Sequence, residues 1–540
     1  MLKRTGAALR AVAIGTALAI GAVGAIGTAS AAAVVPTEDL NATGTIVSPT
    51  YQTFTGSSTG TSPAHVALSL TQTGAFTFSI SSTFSDRTSG ATLSSNDAST
   101  TDTGGGAGTI GWSVTDGDVD TGSFEYLNPG TYLVTDTVTD SNGATATAEV
   151  DVTTLGSAYA PVTPTRILDT RKGTGAPKAP VAPSSIVKLH VEGTGPIPAS
   201  GVTAVVLNVT VVATTGAGFI TVYPSTDGTH VPDVSDLNYT AGKTVANLVT
   251  VPVGADGYVY LANSGPPAGP VNLIAGVSGY YSRAVSQLYN TVYFPQRILD
   301  TRNGIGAPER AVPSGGTVKL LVAQGTEYLP TPGEMTAAVV NITVVNPTGN
   351  GYVTAYADGT SQPGTSTLNY TKGQTLANSA IVPVAPNGEI DLTNEMTSAG
   401  STELLVDVAG FFEVGGYSMS AFVPITPSRV FDSRKDGEGQ IDNGIEYDLD
   451  LGDWAQGPTV AIEVNATVTD THSSGFLSLY AETQPVPSTS NLNWTTGQTL
   501  ANSAFFNVNE QDGWISLYNG GSAGADVILD VSGYFQSSFD

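Results

Sequence analysis

The chain is predicted to be all-β, a row of tandem antiparallel β-sandwich domains. Three observations predict it. Arg166-Ile167-Leu168-Asp169-Thr170-Arg171 returns as Arg297-Ile298-Leu299-Asp300-Thr301-Arg302 and as Arg429-Val430-Phe431-Asp432-Ser433-Arg434, at steps of 131 and 132 residues. A repeat of that length is a whole domain and not a solenoid unit. Short Val- and Thr-rich runs alternate with Gly, Pro, Asn and Asp turn signals every 8 to 15 residues, the pattern of short strands. After the first 33 residues no stretch carries a 3.6-residue apolar period, so helices are not expected.

Composition narrows the function. With 540 residues the chain holds several domains, each long enough to bury its own core. The net charge is −27, and without Lys3, Arg4 and Arg10 of the leader it is −30. A surface this acidic repels nucleic acid and anionic lipid, keeps an exported protein soluble and attracts divalent cations. There is no cysteine, so large β cores, or a metal, must do what disulfides do in many secreted proteins.

Residues 1–33 read as a signal peptide: Lys3 and Arg4 precede an apolar run from Ala7 to Ile26, and Ala29-Ser30-Ala31 and Ala31-Ala32-Ala33 offer small-residue cleavage sites. A retained anchor is the rival reading. No second long apolar run follows, and Gln536 to Asp540 carries no wall-sorting or lipid motif. The mature protein is therefore expected to be extracellular, without a membrane span, and released or held at the surface by non-covalent contacts.

Residues 34–155 form a first, different domain. Strand-like runs lie at His65–Leu70 and Ala75–Ile80, and the polar stretch Asn96–Gly108 reads as a loop. Asp116-Gly117 and Asn142-Gly143 are turn dipeptides between alternating strands. Gly111-Trp112-Ser113-Val114-Thr115-Asp116-Gly117-Asp118, Gly130-Thr131-Tyr132-Leu133-Val134 and the run from Val138 to Ala146 resemble the PKD-type immunoglobulin-like sandwich of bacterial secreted proteins, over Thr109–Thr153. Val114 and Thr115 stand where that family usually has Phe and Gly. The resemblance implies a spacing or interaction role and not catalysis.

Leu155–Tyr159 reads as a short linker. Three modules follow, at 159–283, 291–415 and 421–536. In the first, eight strands are predicted at Arg166–Arg171, Ile186–Glu192, Ala204–Val212, Gly218–Tyr223, Ser235–Tyr239, Val245–Val251, Tyr258–Ala262 and Val271–Tyr281. Each module repeats Asn-x-Thr (Asn208, Asn341, Asn465), then Leu-Asn-Tyr or Leu-Asn-Trp, then a Gly-[Lys/Gln]-Thr-x-Ala-Asn segment, and closes on Gly279-Tyr280-Tyr281, Gly410-Phe411-Phe412 or Gly533-Tyr534-Phe535. The Arg opening and the Gly-aromatic close resemble tandem repeats of secreted actinobacterial proteins. That resemblance implies location and class rather than chemistry.

Candidate site residues come from the repeated motifs. Arg166, Asp169 and Arg171, with Arg297, Asp300 and Arg302 and with Arg429, Asp432 and Arg434, are either an anion or sugar-hydroxyl clamp or an internal lock, since guanidinium grips carboxylate by two parallel hydrogen bonds. Strand alternation puts Asp169 and Arg171 on one face and Arg166 on the other. Asn208, Asn238, Tyr239 and Asn247, with Asn341, Asn369, Tyr370 and Asn378 and with Asn465, Asn493, Trp494 and Asn502, either bond backbone in bulges and turns or line a shallow aromatic-and-amide glycan site. Against the glycan reading, Leu-Asn-Tyr alternation sends the ring inward. Asp116, Asp118 and Asp120 are candidate Ca²⁺ ligands, or a solvated acidic turn.

The catalytic inventory is thin. His65, His190, His230 and His472 occupy no equivalent place in all three modules, and no Gly-x-Ser-x-Gly elbow stands between a strand and a helix. The reading is a secreted, non-enzymatic surface or adhesion protein whose repeated modules bind glycan or a partner protein multivalently. The alternatives are a structural stalk or coat component without a small ligand and, behind it, a secreted glycoside hydrolase.

Overall fold

The computed structural model describes residues 154–537 apart from breaks at 226–227, 266–267, 415–419, 438, 452–458, 510 and 512, and before them residues 129–130 and the backbone of the strands between Thr45 and Thr153. Among the described residues every regular element is a strand. None is a helix long and apolar enough to cross a membrane.

The N-terminal strands form two sheets. One runs in the order Thr45–Ser48, Tyr51–Ser57, Ala64–Gln72, Thr77–Asp86, Val119–Glu125, and the other in the order Gly108–Thr115, Thr92–Thr101, Thr131–Asp140, Thr145–Thr153. The expected loop at Asn96–Gly108 is corrected here. Thr92–Thr101 is a strand paired on both sides, with Gly108–Thr115 and Thr131–Asp140. Polar side chains do not exclude a strand whose backbone finds partners on either side, and Ser and Thr suit extended backbone.

Seven of the eight strands of the first module lie within a few residues of their predicted places, and the first begins eight residues earlier than predicted, at Ala158 rather than Arg166. The eight are Ala158–Asp169, Ser185–His190, Val202–Val212, Gly218–Tyr223, Leu237–Tyr239, Val245–Pro252, Tyr258–Ser264 and Asn272–Ser282. Numbered one to eight within the module, they pair as 1-8-3-6 in one sheet and 2-7-4-5 in the other. The other modules repeat both orders. Two four-stranded sheets with this interleaving make a jelly roll. Each roll buries Val, Leu and Ile from both inner faces, as Val205, Leu207, Val209, Ile220, Val222 and Leu261 do in the first.

The three rolls do not stand apart like beads. Their larger sheets face a common centre, and the opening strands meet there in a closed triangle. Tyr159 bridges to Gln287, Tyr289 pairs with Ser420, and Phe422 bridges to Ser157. The third bridge returns the last module to the first. Leu155–Tyr159, which reads as a linker, is built into this triangle, with Ser157 and Tyr159 buried. Arg283, at the end of module one, donates to the Thr154 carbonyl, and Thr154 exchanges hydrogen bonds with Gly130 of the N-terminal domain.

Seven aromatic rings fill the centre, and six of them form stacked pairs. Each opening ring stacks on the closing ring of the next module: Tyr159 on Phe412 at 4.4 Å, Tyr289 on Phe535 at 4.0 Å and Phe422 on Tyr281 at 4.3 Å. Fully burying a side chain of this kind stabilises by about 1.5–3 kcal/mol, and the ring pairs add to that. This packing accounts for the Gly-aromatic close. A Cβ on Gly279, Gly410 or Gly533 would stand 2.0–2.2 Å from the opening ring of the same module, so only glycine lets that ring lie on the strand.

Candidate functional site

The Arg motif is built by two local distortions. The opening strand ends at Asp169 and the chain turns, with Lys172 and Gly173 amides donating to the Asp169 carbonyl at 3.0 Å. Arg171 therefore lies in a turn and reaches back two residues. It meets Asp169 with its amide at 3.1 Å, its Nε at 2.9 Å and its Nη2 at 2.8 Å. Arg302 on Asp300 and Arg434 on Asp432 repeat this clamp. Each aspartate is buried. The Arg171 side-chain hydrogen bonds, joined by its charge, hold the Asp169 carboxyl down at about 2.

A register shift between Arg166 and Leu168 is the second distortion. It overturns the expected alternation, because Arg166 comes round to the face of Asp169 and touches it at 3.2 Å. In the other modules the first arginine crosses to the closing strand. Arg297 holds Asp407 with two prongs at 2.8 and 2.9 Å, and Arg429 holds Asp530 at 2.8 and 3.3 Å. Strand register puts Gly276 opposite Arg166 where Asp407 and Asp530 stand opposite Arg297 and Arg429.

The repeated asparagines join modules. Asn208 donates to the Ser366 carbonyl at 2.6 Å, Asn341 to Ser490 at 2.6 Å and Asn465 to Ser235. Each also accepts from the Asn of the Ala-Asn segment next door: from Asn378 at 3.2 Å, from Asn502 at 3.1 Å and from Asn247 at 2.8 Å. The same three segment asparagines donate to Thr367, Asn491 and Asp236 carbonyls within their own module. One amide thus ties its strand to its own module and to a neighbour, which combines the backbone role expected of it with a joint the local pattern does not reveal.

Asn238, Asn369 and Asn493 are half-buried and bond Ser235, Ser366 and Ser490 hydroxyls three residues back. Tyr239, Tyr370 and Trp494 lie inside, each 3% exposed, so their faces are closed to a sugar ring. Tyr239 donates to Asn263 at 2.5 Å and Tyr370 donates to Asn394. Asn263, Asn394 and Asn519 in turn hold the Val181, Val312 and Ile441 carbonyls. This fourth asparagine series went unread in the sequence, although it too recurs in every module. Of the calcium candidates, Asp116 and Asp118 lie outside the described residues, and Asp120 lies on a strand whose side chains are outside them. Among the described residues no group of three or more His, Asp or Glu is placed to hold a metal ion.

Two further features stand out. Glu463 is buried in the centre at the register position of Val206 and Val339. Burial pushes its carboxyl up to about 8, against a hydrogen bond from Ser503. One oxygen accepts from the Ser503 hydroxyl at 3.1 Å, and the other has no hydrogen-bond partner. The second feature is an open cleft of about 370 Å³ between modules one and two. Arg166, Arg171, Asn208 and Thr244 line one side, and Tyr352 and Asn369 the other. Tyr352 and Asn369 sit side by side on paired strands, and Tyr352 is 39% exposed. The cleft thus brings two predicted arginines and two predicted asparagines, Asn208 and Asn369, together with a tyrosine that the motifs did not single out.

No family model and no curated protein matches this chain. Two solved structures are weakly similar. The Streptomyces avermitilis α-L-rhamnosidase complexed with L-rhamnose aligns over 83% of this chain at 9% identity and a TM-score of 0.15, and the chain spans only 55% of that enzyme's length. A triple jelly-roll protein of an archaeal virus turret aligns over 71% of this chain and 90% of its own at 11% identity, also at a TM-score of 0.15. Overlaps this slight carry nothing about function.

Proposed function

We propose that the chain is an exported, non-enzymatic surface protein whose three jelly rolls form one binding head behind a PKD-like spacer, with a glycan or a partner protein as ligand. The observation that carries the reading is the cleft between modules one and two, where the exposed Tyr352 face, the Asn369 amide, the Thr244 hydroxyl and two guanidinium groups meet. An aromatic face with amide and hydroxyl groups around it buries the apolar side of a sugar ring while hydrogen bonds fix its hydroxyls. Binding is then at the cleft between modules one and two. The aromatic-and-amide glycan site expected at Tyr239, Tyr370 and Trp494 loses its basis, because those faces are interior.

A glycan array probed with the exported chain tests this. Binding is expected, and Tyr352→Ala weakens it with an unchanged melting temperature. Turnover of a polysaccharide, abolished by one carboxylate substitution, would overturn the non-enzymatic reading.

The structural-coat reading has one specific observation behind it: the repeated arginine and asparagine motifs are largely spent on joints within the head. Self-association of the full chain, with no ligand bound on the array, favours it. Calcium at Asp116, Asp118 and Asp120 belongs to the same proposal. A melting curve that a chelator leaves unmoved removes the ion from it.

A further inference from the structure

We infer that the cleft between modules one and two binds the anionic group of its ligand, a carboxylate or sulfate ester carried on a sugar, through Arg166; the inference rests on the glycan reading above and names the chemistry of that ligand.

The argument starts from one substitution within the repeat. Arg297 and Arg429 each present Nε and Nη2 to a carboxylate on the closing strand, Asp407 or Asp530. Arg166 stands at the same register position but faces Gly276. Its guanidinium has settled for other acceptors: Nη1 reaches Asp169 at 3.2 Å and Nη2 reaches the Gly364 carbonyl of module two at 2.7 Å. Its Nε, the atom that the sister arginines give to aspartate, is buried with no hydrogen-bond partner. An unpaired buried donor is costly, and for a charged group more so.

Charge balance points the same way. Asp169 is already clamped by Arg171, so one carboxylate serves two guanidinium groups. No Asp or Glu is among the residues lining the cleft. In a chain of net charge −27 this is a local positive site with room beside it. The cleft's volume of about 370 Å³ falls within the usual range for small-molecule sites, roughly 300–1,000 Å³. A ligand carboxylate entering the cleft would meet the exposed part of the Arg166 guanidinium, and Tyr352 and Asn369 lie across the cleft for the rest of the sugar. Putting the aspartate back is not a clean test, since a Cβ on Gly276 would stand 2.9 Å from the Thr365 methyl.

The experiment is calorimetric titration of the exported chain with tetragalacturonate, with neutral cellotetraose and with inorganic sulfate, repeated on Arg166→Gln and Arg166→Lys, with melting curves for every variant. Tetragalacturonate is expected to bind and to weaken as salt rises. Arg166→Gln should lose about tenfold or more, the scale of a hydrogen bond to a charged group, and Arg166→Lys should lose less. Sulfate binding by wild type alone, lost in Arg166→Gln, supports the anion site. Should Arg166→Gln not fold, the salt dependence of wild-type binding decides, and salt-insensitive binding overturns the inference. Cellotetraose bound as tightly as tetragalacturonate overturns it too and leaves the glycan reading standing. If neither saccharide binds, both fall.

Discussion

Asn247 donates a hydrogen bond to Asn465 across 2.8 Å and 218 residues of sequence, and this contact closes module three onto module one. The Asn247 oxygen also accepts from the Ser503 amide at 3.1 Å, as the Asn502 oxygen does from Ser379 at 2.9 Å. The Asn378 oxygen has no such partner. Asn247→Ala therefore strands one more buried group than Asn378→Ala. We expect about 1–3 kcal/mol of lost stability for Asn247→Ala and less for Asn378→Ala, read from denaturant midpoints. Equal losses would refute the asymmetry.

Glu463 makes stability depend on pH. Its folded carboxyl titrates at about 8 against an ordinary value of 4.5. Between those values the folded chain keeps a proton that the unfolded chain has released, so stability falls as pH rises through that window and is level above it. The full effect is about 4–5 kcal/mol. Asp236, raised by burial to about 7, adds slope of the same sign. Glu463→Gln should flatten much of the fall and leave the protein more stable than wild type at pH 8. Melting curves from pH 5 to 9 check it, and a slope unchanged by the substitution would count against a protonated core carboxyl.

Asp169 acts in the opposite sense at acid pH. Hydrogen bonds from Arg171 hold its carboxyl at about 2, so its contribution is present above the ordinary value near 4 and disappears as pH falls through 2. Asp169→Asn should narrow the difference between pH 5 and pH 2. The size is modest, because both arginines keep solvent contact.

Gly410→Ala drives a methyl group to 2.2 Å from the Tyr289 hydroxyl and should cost about 1–3 kcal/mol by overpacking. Gly364, where an added Cβ meets nothing within 4 Å, supplies the control: Gly364→Ala should leave the melting temperature nearly unmoved.

The turn after the third strand holds Ala213, Asn346 and Asp470 in left-handed backbone, at φ 54°, 49° and 48°. Asn and Asp tolerate that region, and alanine does so poorly. Ala213→Asn is expected to raise stability by about 0.5–1 kcal/mol, measured by urea unfolding. A loss would show that the methyl group has a packing role.

Much of this architecture was legible from residues near one another in sequence. The repeat of Arg166, Arg297 and Arg429 fixed the number of modules. The turn signals placed seven of the eight strands in the first to within a few residues and missed the first half of the opening strand, and Leu-Asn-Tyr alternation turned Tyr239 inward, since strand side chains face opposite ways at each step. Even the Gly276, Asp407, Asp530 column stood in view beside the Gly-aromatic close, though nothing local said that its partner is the opening arginine. Only the folded chain decided the rest. Linear order is silent on whether copies stand in a row or close on themselves, because that depends on surfaces meeting across hundreds of residues: Asn247 against Asn465, Tyr159 against Phe412, Phe422 against Tyr281. The bulge at Arg166–Leu168 likewise turned a side chain that plain alternation assigns to the other face, and a one-residue slip of that kind is set by the neighbouring strands rather than by the residues that slip.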